Sequence, residues 1–154
     1  MGYTHYWERP MDRLGSLYQF TKLATDTQII VNEAKRQGIA IGDNFGNGDN
    51  ANITTDAIAF NGAGDEAYET FYWEHQPEQV GWRVTEPNYF NFCKTAHRPY
   101  DVVVTAVLIR AKEIYGSLLT VSSDGTWGDW QMGRNLYEQV FNKPAPCPFE
   151  VVGV

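Results

Sequence analysis

Cationic side chains are concentrated at one point of an acidic sequence. Lys94, His97 and Arg98 fall within five residues, just before a predicted helix that starts near Pro99. The N-terminus of a helix suits an anion because its backbone N–H groups are unpaired and its dipole is positive there, and arginine adds a planar fork for phosphate or carboxylate. The cluster therefore predicts an anion site. The alternative is that Asp101, in the first helical turn, pairs with Lys94 or Arg98 and only fixes the loop.

A second junction between a strand and a helix carries Ser122-Ser123-Asp124-Gly125. Either Ser123 or Asp124 is expected to cap the last helix, since both side chains bond readily to free backbone N–H groups. If the two junctions lie at one edge of a sheet, Thr95 and Asp124 face the same pocket. We therefore include both residues among the candidates for ligand binding.

Arg134 lies on the apolar face of the last predicted helix, between Trp130 and Tyr137. A charge on such a face needs a partner, because burying an unpaired charge is costly. Asp101 or Asp124 is the structural candidate for that partner, and an anionic ligand is the alternative.

The opening segment alternates aromatic and imidazole side chains along a predicted strand. The alternation puts Tyr3, His5 and Trp7 on one face. One interpretation is that these rings stack on a nucleobase. The other is that His5 is a hydrogen-bonded core histidine with aromatic rings packed on both sides.

The negative charge of the chain is concentrated in its middle third. The formal net charge is −7 over 154 residues, and residues 41–90 hold one arginine against nine acids, a balance of −8. This charge disfavours binding to duplex nucleic acid, but it leaves room for one small anion pocket. The acidic segment is either a surface for a basic partner protein or a solvated sheet face that aids solubility.

Composition places the chain among ordered domains. Hydrophobic residues make up 43% and aromatic residues 14% of it, more than a disordered protein contains. The longest apolar stretch is too short for a membrane span, and the polar start of the sequence is unlike a secretion signal. We therefore expect no membrane partner, a cytoplasmic location, and reduced thiols at Cys93 and Cys147.

Several kinds of chemistry find no support in the sequence. His5, His75 and His97 fit no paired-histidine phosphoesterase motif and no metal-ligand spacing. A P-loop, a nucleophile elbow and a zinc-protease motif are also absent from the sequence. We therefore predict no metal site and no cofactor, and a binding protein in preference to an enzyme.

The pattern of strand and helix formers predicts one compact α+β domain at 1–143 and an extended, proline-rich tail at 144–154. Successive strands in the middle of the chain predict an antiparallel or mixed sheet of four to five strands, packed against three helices. The first helical stretch could be two helices, and a long connection with Trp82 lies at 77–87. The predicted strands are 3–7, 53–61, 69–74, 89–95 and 117–122, the middle three in one sheet, and the helices are 12–37, 100–115 and one starting near 124.

Motifs over nearly the whole chain also carry a family resemblance. They are the opening Met-Gly-Tyr-Thr-His-Tyr-Trp, Phe60-Asn61-Gly62, Glu69-Thr70-Phe71, Phe92-Cys93-Lys94-Thr95-Ala96, Arg98-Pro99-Tyr100-Asp101, Ser122-Ser123-Asp124-Gly125, Asp129-Trp130 and Gly133-Arg134. With these motifs the chain resembles a family of small uncharacterised proteins of tailed phages, prophages and bacteria. The resemblance implies a phage setting and the host cytoplasm, and it implies no established activity.

These observations lead to two functions of different classes and a weaker third. The first is a phage accessory protein that binds and sequesters a small anionic ligand, such as a nucleotide signal of host defence, by stacking and phosphate contacts. The second is an inhibitor that meets a basic host protein through residues 41–90. The third is a nucleotide hydrolase that uses His5, Lys94, His97 and Asp101 or Asp124. The sequence leaves a homo-oligomer open, and the ligand-binding candidates are Tyr3, His5, Trp7, Lys94, Thr95, Arg98, Asp101, Asp124 and Arg134.

Overall fold

Three helices are interspersed among the strands along the described part of the chain. The structure is a computed structural model that describes residues 2–77 and 86–150. Within these residues the predicted α+β class is confirmed, with three helices and seven strands in two sheets. The elements are β1 (Thr4–Pro10), α1 (Leu17–Arg36), β2 (Ile41–Gly42), β3 (Asn52–Ile53), β4 (Ala57–Gly62), β5 (Phe71–Glu74), β6 (Asn88–Lys94), α2 (Asp101–Tyr115), β7 (Thr120–Ser123) and α3 (Gln131–Phe141).

Both sheets are antiparallel and each is built around one central strand. In the first sheet β1 lies between β6 and β7, and in the second β4 pairs with β2, β3 and β5. The prediction that residues 53–61 and 69–74 lie in one sheet is confirmed, because β4 pairs with β5. The prediction that residues 89–95 join the same sheet is wrong, because β6 pairs with β1 over seven residues, from Thr4 opposite Lys94 to Pro10 opposite Asn88. Both β1 and β6 have seven residues, whereas β5 has four.

The first helical stretch forms one helix, not two. It begins with a capping box in which Ser16 Oγ accepts a hydrogen bond from Gln19 N at 3.1 Å and Gln19 Oε1 accepts one from Ser16 N at 2.8 Å. Asp26, a polar residue in the middle of this stretch, is buried inside the helix. Its Oδ2 accepts a hydrogen bond from Arg110 Nε of α2 at 2.7 Å, so a tertiary ion pair stabilises the polar residue there.

Helix α2 is the most buried of the three helices, in agreement with its apolar composition. Nine of its fifteen residues are buried, and it packs against both α1 and α3. It ends at Gly116, whose positive φ of 58° suits a residue without a side chain. On the opposite helix Gly133 lies directly against Thr105, so that the absence of a Cβ atom allows α2 and α3 to approach closely.

The C-terminal part differs in one respect from the prediction. Neither Ser123 nor Asp124 caps α3, which follows a 3-10 turn at Gly128–Trp130 and has no side-chain cap. The tail is extended and returns to the first sheet, where Phe149 forms a parallel bridge with Val121. Residues 78–85, with Trp82, and 151–154 lie outside the described residues. Within the described part, no helix has both the length and the apolar composition of a membrane span.

Candidate functional site

Strand direction brings the two predicted junctions to one edge of the first sheet. Because β6 and β7 both run antiparallel to β1, the C-terminal ends of these two strands flank its N-terminal end. Lys94 and Ser123 therefore lie beside Thr4 and His5, the first residues of β1. The two cation- and serine-bearing junctions, which are about thirty residues apart in the chain, share one site.

A chain of hydrogen bonds links three elements across this edge. His5 Nδ1 lies 2.8 Å from Ser123 Oγ, and His5 Nε2 lies 2.6 Å from Asp101 Oδ1. The imidazole is fully buried, between the edges of the Tyr3 and Trp130 rings. His5 is thus a core histidine with both nitrogens satisfied, the second of the two interpretations that the sequence allowed.

The positions of the protons in these hydrogen bonds follow from the number of donors at Ser123. Its Oγ accepts hydrogen bonds from Gly125 N at 2.9 Å and Trp130 Nε1 at 3.2 Å, which occupies both of its lone pairs. The hydroxyl proton must then point at His5 Nδ1, and the His5 Nε2–H donates to Asp101. This is the proton order of a serine–histidine–aspartate triad, but the serine bonds to Nδ1 and the carboxylate to Nε2, and the imidazole between them is fully buried. The geometry therefore favours a structural role over a hydrolytic one.

The loop between β6 and α2 is held tightly against β1. The N–H groups of Thr95 and Ala96 both donate to the carbonyl of Tyr3, and Thr95 Oγ1 donates to Asp101 Oδ1 at 2.6 Å. Ala96 and His97 both have left-handed backbones, with φ of 51° and 60°. Two such residues in succession store strain that the surrounding bonds must hold.

The first backbone amides of α2 are already used. The N–H groups of Asp101, Val102 and Val103 donate to the carbonyls of Arg98, Pro99 and Tyr100. The Asp101 carboxylate also lies at this end, with 17% of its side chain exposed. An anion at this junction would therefore depend on the cationic side chains and not on the helix amides, because those amides are occupied and a carboxylate lies beside them.

Lys94 and Arg98 meet on one aromatic ring. Lys94 Nζ lies 5.8 Å and Arg98 Cζ 5.9 Å from the centre of the Tyr68 ring, which is 46% exposed. In the described part of the chain neither cation forms an ion pair, since Asp101 bonds to His5 and Thr95 instead. We call these three residues the Lys94–Tyr68–Arg98 clamp. Among the described residues no carboxylate forms an ion pair with either of its two positive charges, so both can meet an anion.

Hydrogen bonds of Tyr100 and Glu69 hold the clamp residues in place. Tyr100 Oη donates to the carbonyl of Glu69 at 2.5 Å, and Lys94 N donates to Glu69 Oε1 at 2.8 Å. Burial raises the pKa of the Tyr100 phenol and of the nearby Cys93 thiol, so both stay protonated. These bonds join the segment before β5 to the end of β6, and so place Tyr68 beside Lys94.

The remaining predicted site residues lie away from the clamp. Trp7 is in the core, where its ring stacks on Phe71 at 5.0 Å. Asp124 accepts a hydrogen bond from Thr4 N at 3.0 Å and closes the end of β1. Arg134 lies over the Trp127 ring, with its Cζ at 4.3 Å from the ring centre, so an aromatic face takes the place of the carboxylate partner expected for it.

The acidic segment divides between internal bonds and open surface. Besides Glu69, Glu74 has an internal role, because its Oε1 accepts a hydrogen bond from Tyr89 Oη at 2.6 Å. Asp65 and Glu66 are exposed. A protein partner that contacted the whole segment would therefore meet carboxylates that are already bonded, which weakens the acidic-surface hypothesis.

The sequence-based candidates missed the aromatic part of this surface. Tyr68 was not selected, and neither were Phe90 and Phe92, which are 53% and 55% exposed on the outer face of β6. The signal was present, because strand alternation places Phe90, Phe92 and Lys94 on one face. What the sequence did not reveal is that these two rings are exposed.

Comparisons with models of protein families, with curated proteins and with solved structures found no match for this chain.

Proposed function

We propose that this protein binds and sequesters a small anionic ligand at the Lys94–Tyr68–Arg98 clamp. The observation that carries the proposal is the meeting of two cations, neither with an ion pair among the described residues, on one exposed ring. Arginine offers a planar pair of donors to phosphate or carboxylate, and lysine adds a mobile charge. In the phage setting that the resemblance implies, sequestration would remove a signalling molecule of host defence.

The number of cations in the clamp limits the number of anionic groups on the ligand. Two cations suffice for one or two anionic groups, whereas a nucleic-acid backbone needs a longer basic track. The net charge of −7 repels polyanions at a distance. A compact ligand with its charge at one end is the class that fits both facts.

Binding without turnover is favoured by the bonds below the clamp. The buried His5 and the partly buried Ser123 both have hydrogen-bond partners, and Asp101 accepts from both His5 and Thr95. These groups support the loop that carries Arg98, since Arg98 N donates to the carbonyl of Thr95 at 2.9 Å. The junction therefore serves as a rigid base that holds the clamp in position.

Thermal denaturation with a panel of anions tests this proposal. Phosphate, pyrophosphate, nucleotides and acetate are compared at constant ionic strength, so that general screening is the same in all samples. We expect at least one phosphate-bearing anion to raise the melting temperature, as a ligand specific for the folded state must. In the same samples, chromatography should find the ligand chemically unchanged.

A matched pair of variants separates the clamp from general charge. Lys94→Gln with Arg98→Gln should abolish the rise in melting temperature, whereas Arg13→Gln, which removes an exposed charge elsewhere, should leave it intact. An equal rise in the double variant, or no rise with any anion in the native protein, would contradict the proposal. Conversion of the ligand to product would replace sequestration with catalysis.

A further inference from the structure

An aromatic groove lies next to the clamp on the same face of β6. Its volume is about 370 Å³, and its walls include Met11, Tyr72, Phe90 and Phe92. The two phenylalanine rings are more than half exposed, and the Tyr72 ring is 42% exposed. A volume of this order is typical of small-molecule sites. Single exposed aromatic rings are common on protein surfaces, but a contiguous group of them marks a binding site.

The groove and the clamp form one continuous strip. Strand alternation places Phe90, Phe92 and Lys94 on the outer face in that order, with about 7 Å between successive positions. Phe90 also packs near Phe92 and Tyr6, with ring centres 6.1 and 6.0 Å apart. One molecule with a flat ring at one end and an anionic group at the other can therefore reach both parts.

We propose that the ligand is a nucleoside phosphate whose base stacks in the groove, on Phe92 and its neighbours, while its phosphates meet Lys94 and Arg98. This inference rests on the proposed anion binding and names the class of the ligand. It commits to one occupant of the groove because the positive charge lies at one end of the strip only. An apolar peptide or a lipid chain would leave both cations unpaired.

A polar side chain beside the rings suits the edge of a base. Asn88 lines the groove, is exposed, and lies on the same face of β6 as Phe90 and Phe92. Proteins that bind single nucleotides combine stacking on aromatic rings with hydrogen bonds to base edges in this way. Because stacking accepts every base, we expect ADP, GDP and CDP to bind with similar affinity.

Calorimetric titration with ADP, pyrophosphate and adenosine tests the inference. Stacking of one base predicts that ADP binds about tenfold or more tightly than pyrophosphate, and that adenosine alone binds weakly. Equal affinity of ADP and pyrophosphate would overturn the inference and leave the anion clamp in place. Absence of binding by both would overturn the clamp and the nucleotide with it.

Variants of exposed rings locate the base. Phe92→Leu keeps an apolar side chain but removes the ring, so it should erase the advantage of ADP over pyrophosphate without changing the affinity for pyrophosphate. Phe45→Leu, at a ring that is 79% exposed in a separate loop, is the matched control and should change neither affinity. An unchanged preference for ADP in Phe92→Leu would contradict the placement of the base.

Discussion

His5 and Asp101 are joined by a hydrogen bond of 2.6 Å between Nε2 and Oδ1, although 96 residues separate them in the chain. The bond ties the first strand to the first turn of the most buried helix. Because Thr95 donates to the same carboxylate oxygen, Asp101 also holds the strained loop that carries Arg98. The position of the clamp therefore depends on a partly buried carboxylate that does not itself touch the proposed ligand.

Replacement of Asp101 by alanine should be strongly destabilising. It leaves His5 and Thr95 without their acceptor in a buried position, for which we expect a loss of about 2–4 kcal/mol in the free energy of unfolding. Urea denaturation followed by tryptophan fluorescence measures this loss. Asp12→Ala removes an aspartate that is 86% exposed and should change stability by less than about 0.5 kcal/mol. A small and equal effect of both changes would contradict the hydrogen bonds from His5 and Thr95 to Asp101.

The contact between α2 and α3 predicts a second effect on stability. A Cβ atom at Gly133 would collide with the side chain of Thr105 and lie 3.2 Å from the carbonyl of Val102. Gly133→Ala should therefore cost about 1–3 kcal/mol by overpacking. Gly128→Ala is the control, because the nearest atom to its new methyl group is Thr126 Oγ1 at 3.6 Å. Tolerance of both changes would mean that the helices lie further apart.

Stability should fall at alkaline pH because the protein buries a phenol near its negative charges. Burial raises the pKa of Tyr3 to about 12 from 10.0, and the charge of Asp101 adds to this. The folded protein keeps a proton that the unfolded chain has lost, so this stability is present below pH 10 and disappears as the pH rises through 12. The urea midpoint should fall across this window, and less steeply in Tyr3→Phe. Parallel declines in both proteins would contradict the assignment.

The two cysteines should differ in reactivity. Cys93 is buried against the carbonyl of Glu69 and burial raises its pKa, so little thiolate is available. Cys147 is exposed. Ellman's reagent should therefore titrate one thiol per native chain and two in denaturant, and none in native Cys147→Ser. Rapid reaction of a second thiol in the native protein would show that the first sheet is not packed as described.

Local features of the fold could be predicted from the sequence. The alternation in β1 correctly puts Tyr3, His5 and Trp7 on the buried face, and the apolar composition of α2 correctly predicts its burial. These features depend on neighbouring residues, whose spacing the sequence displays directly. The closeness of Lys94 and Arg98 could be predicted in the same way, because only four positions separate them in the chain.

Features that depend on distant pairing could not be predicted. The pairing of β6 with β1 joins residues that are 78 to 90 positions apart in the chain, and nothing in either strand specifies its partner. The local pattern predicts that Ser123 or Asp124 caps a helix, yet the Ser123 oxygen meets His5 across the sheet. The exposure of Phe92 escaped prediction for the same reason, since it depends on which face the helices cover.

The most direct test of the account is the dissociation constant of pyrophosphate for three proteins, measured by calorimetry at constant ionic strength. The native chain and Arg13→Gln should bind with equal affinity. The double variant Lys94→Gln with Arg98→Gln should bind at least about tenfold more weakly, because it removes both charges that meet at Tyr68. The same dissociation constant in all three proteins would contradict the clamp as the anion site.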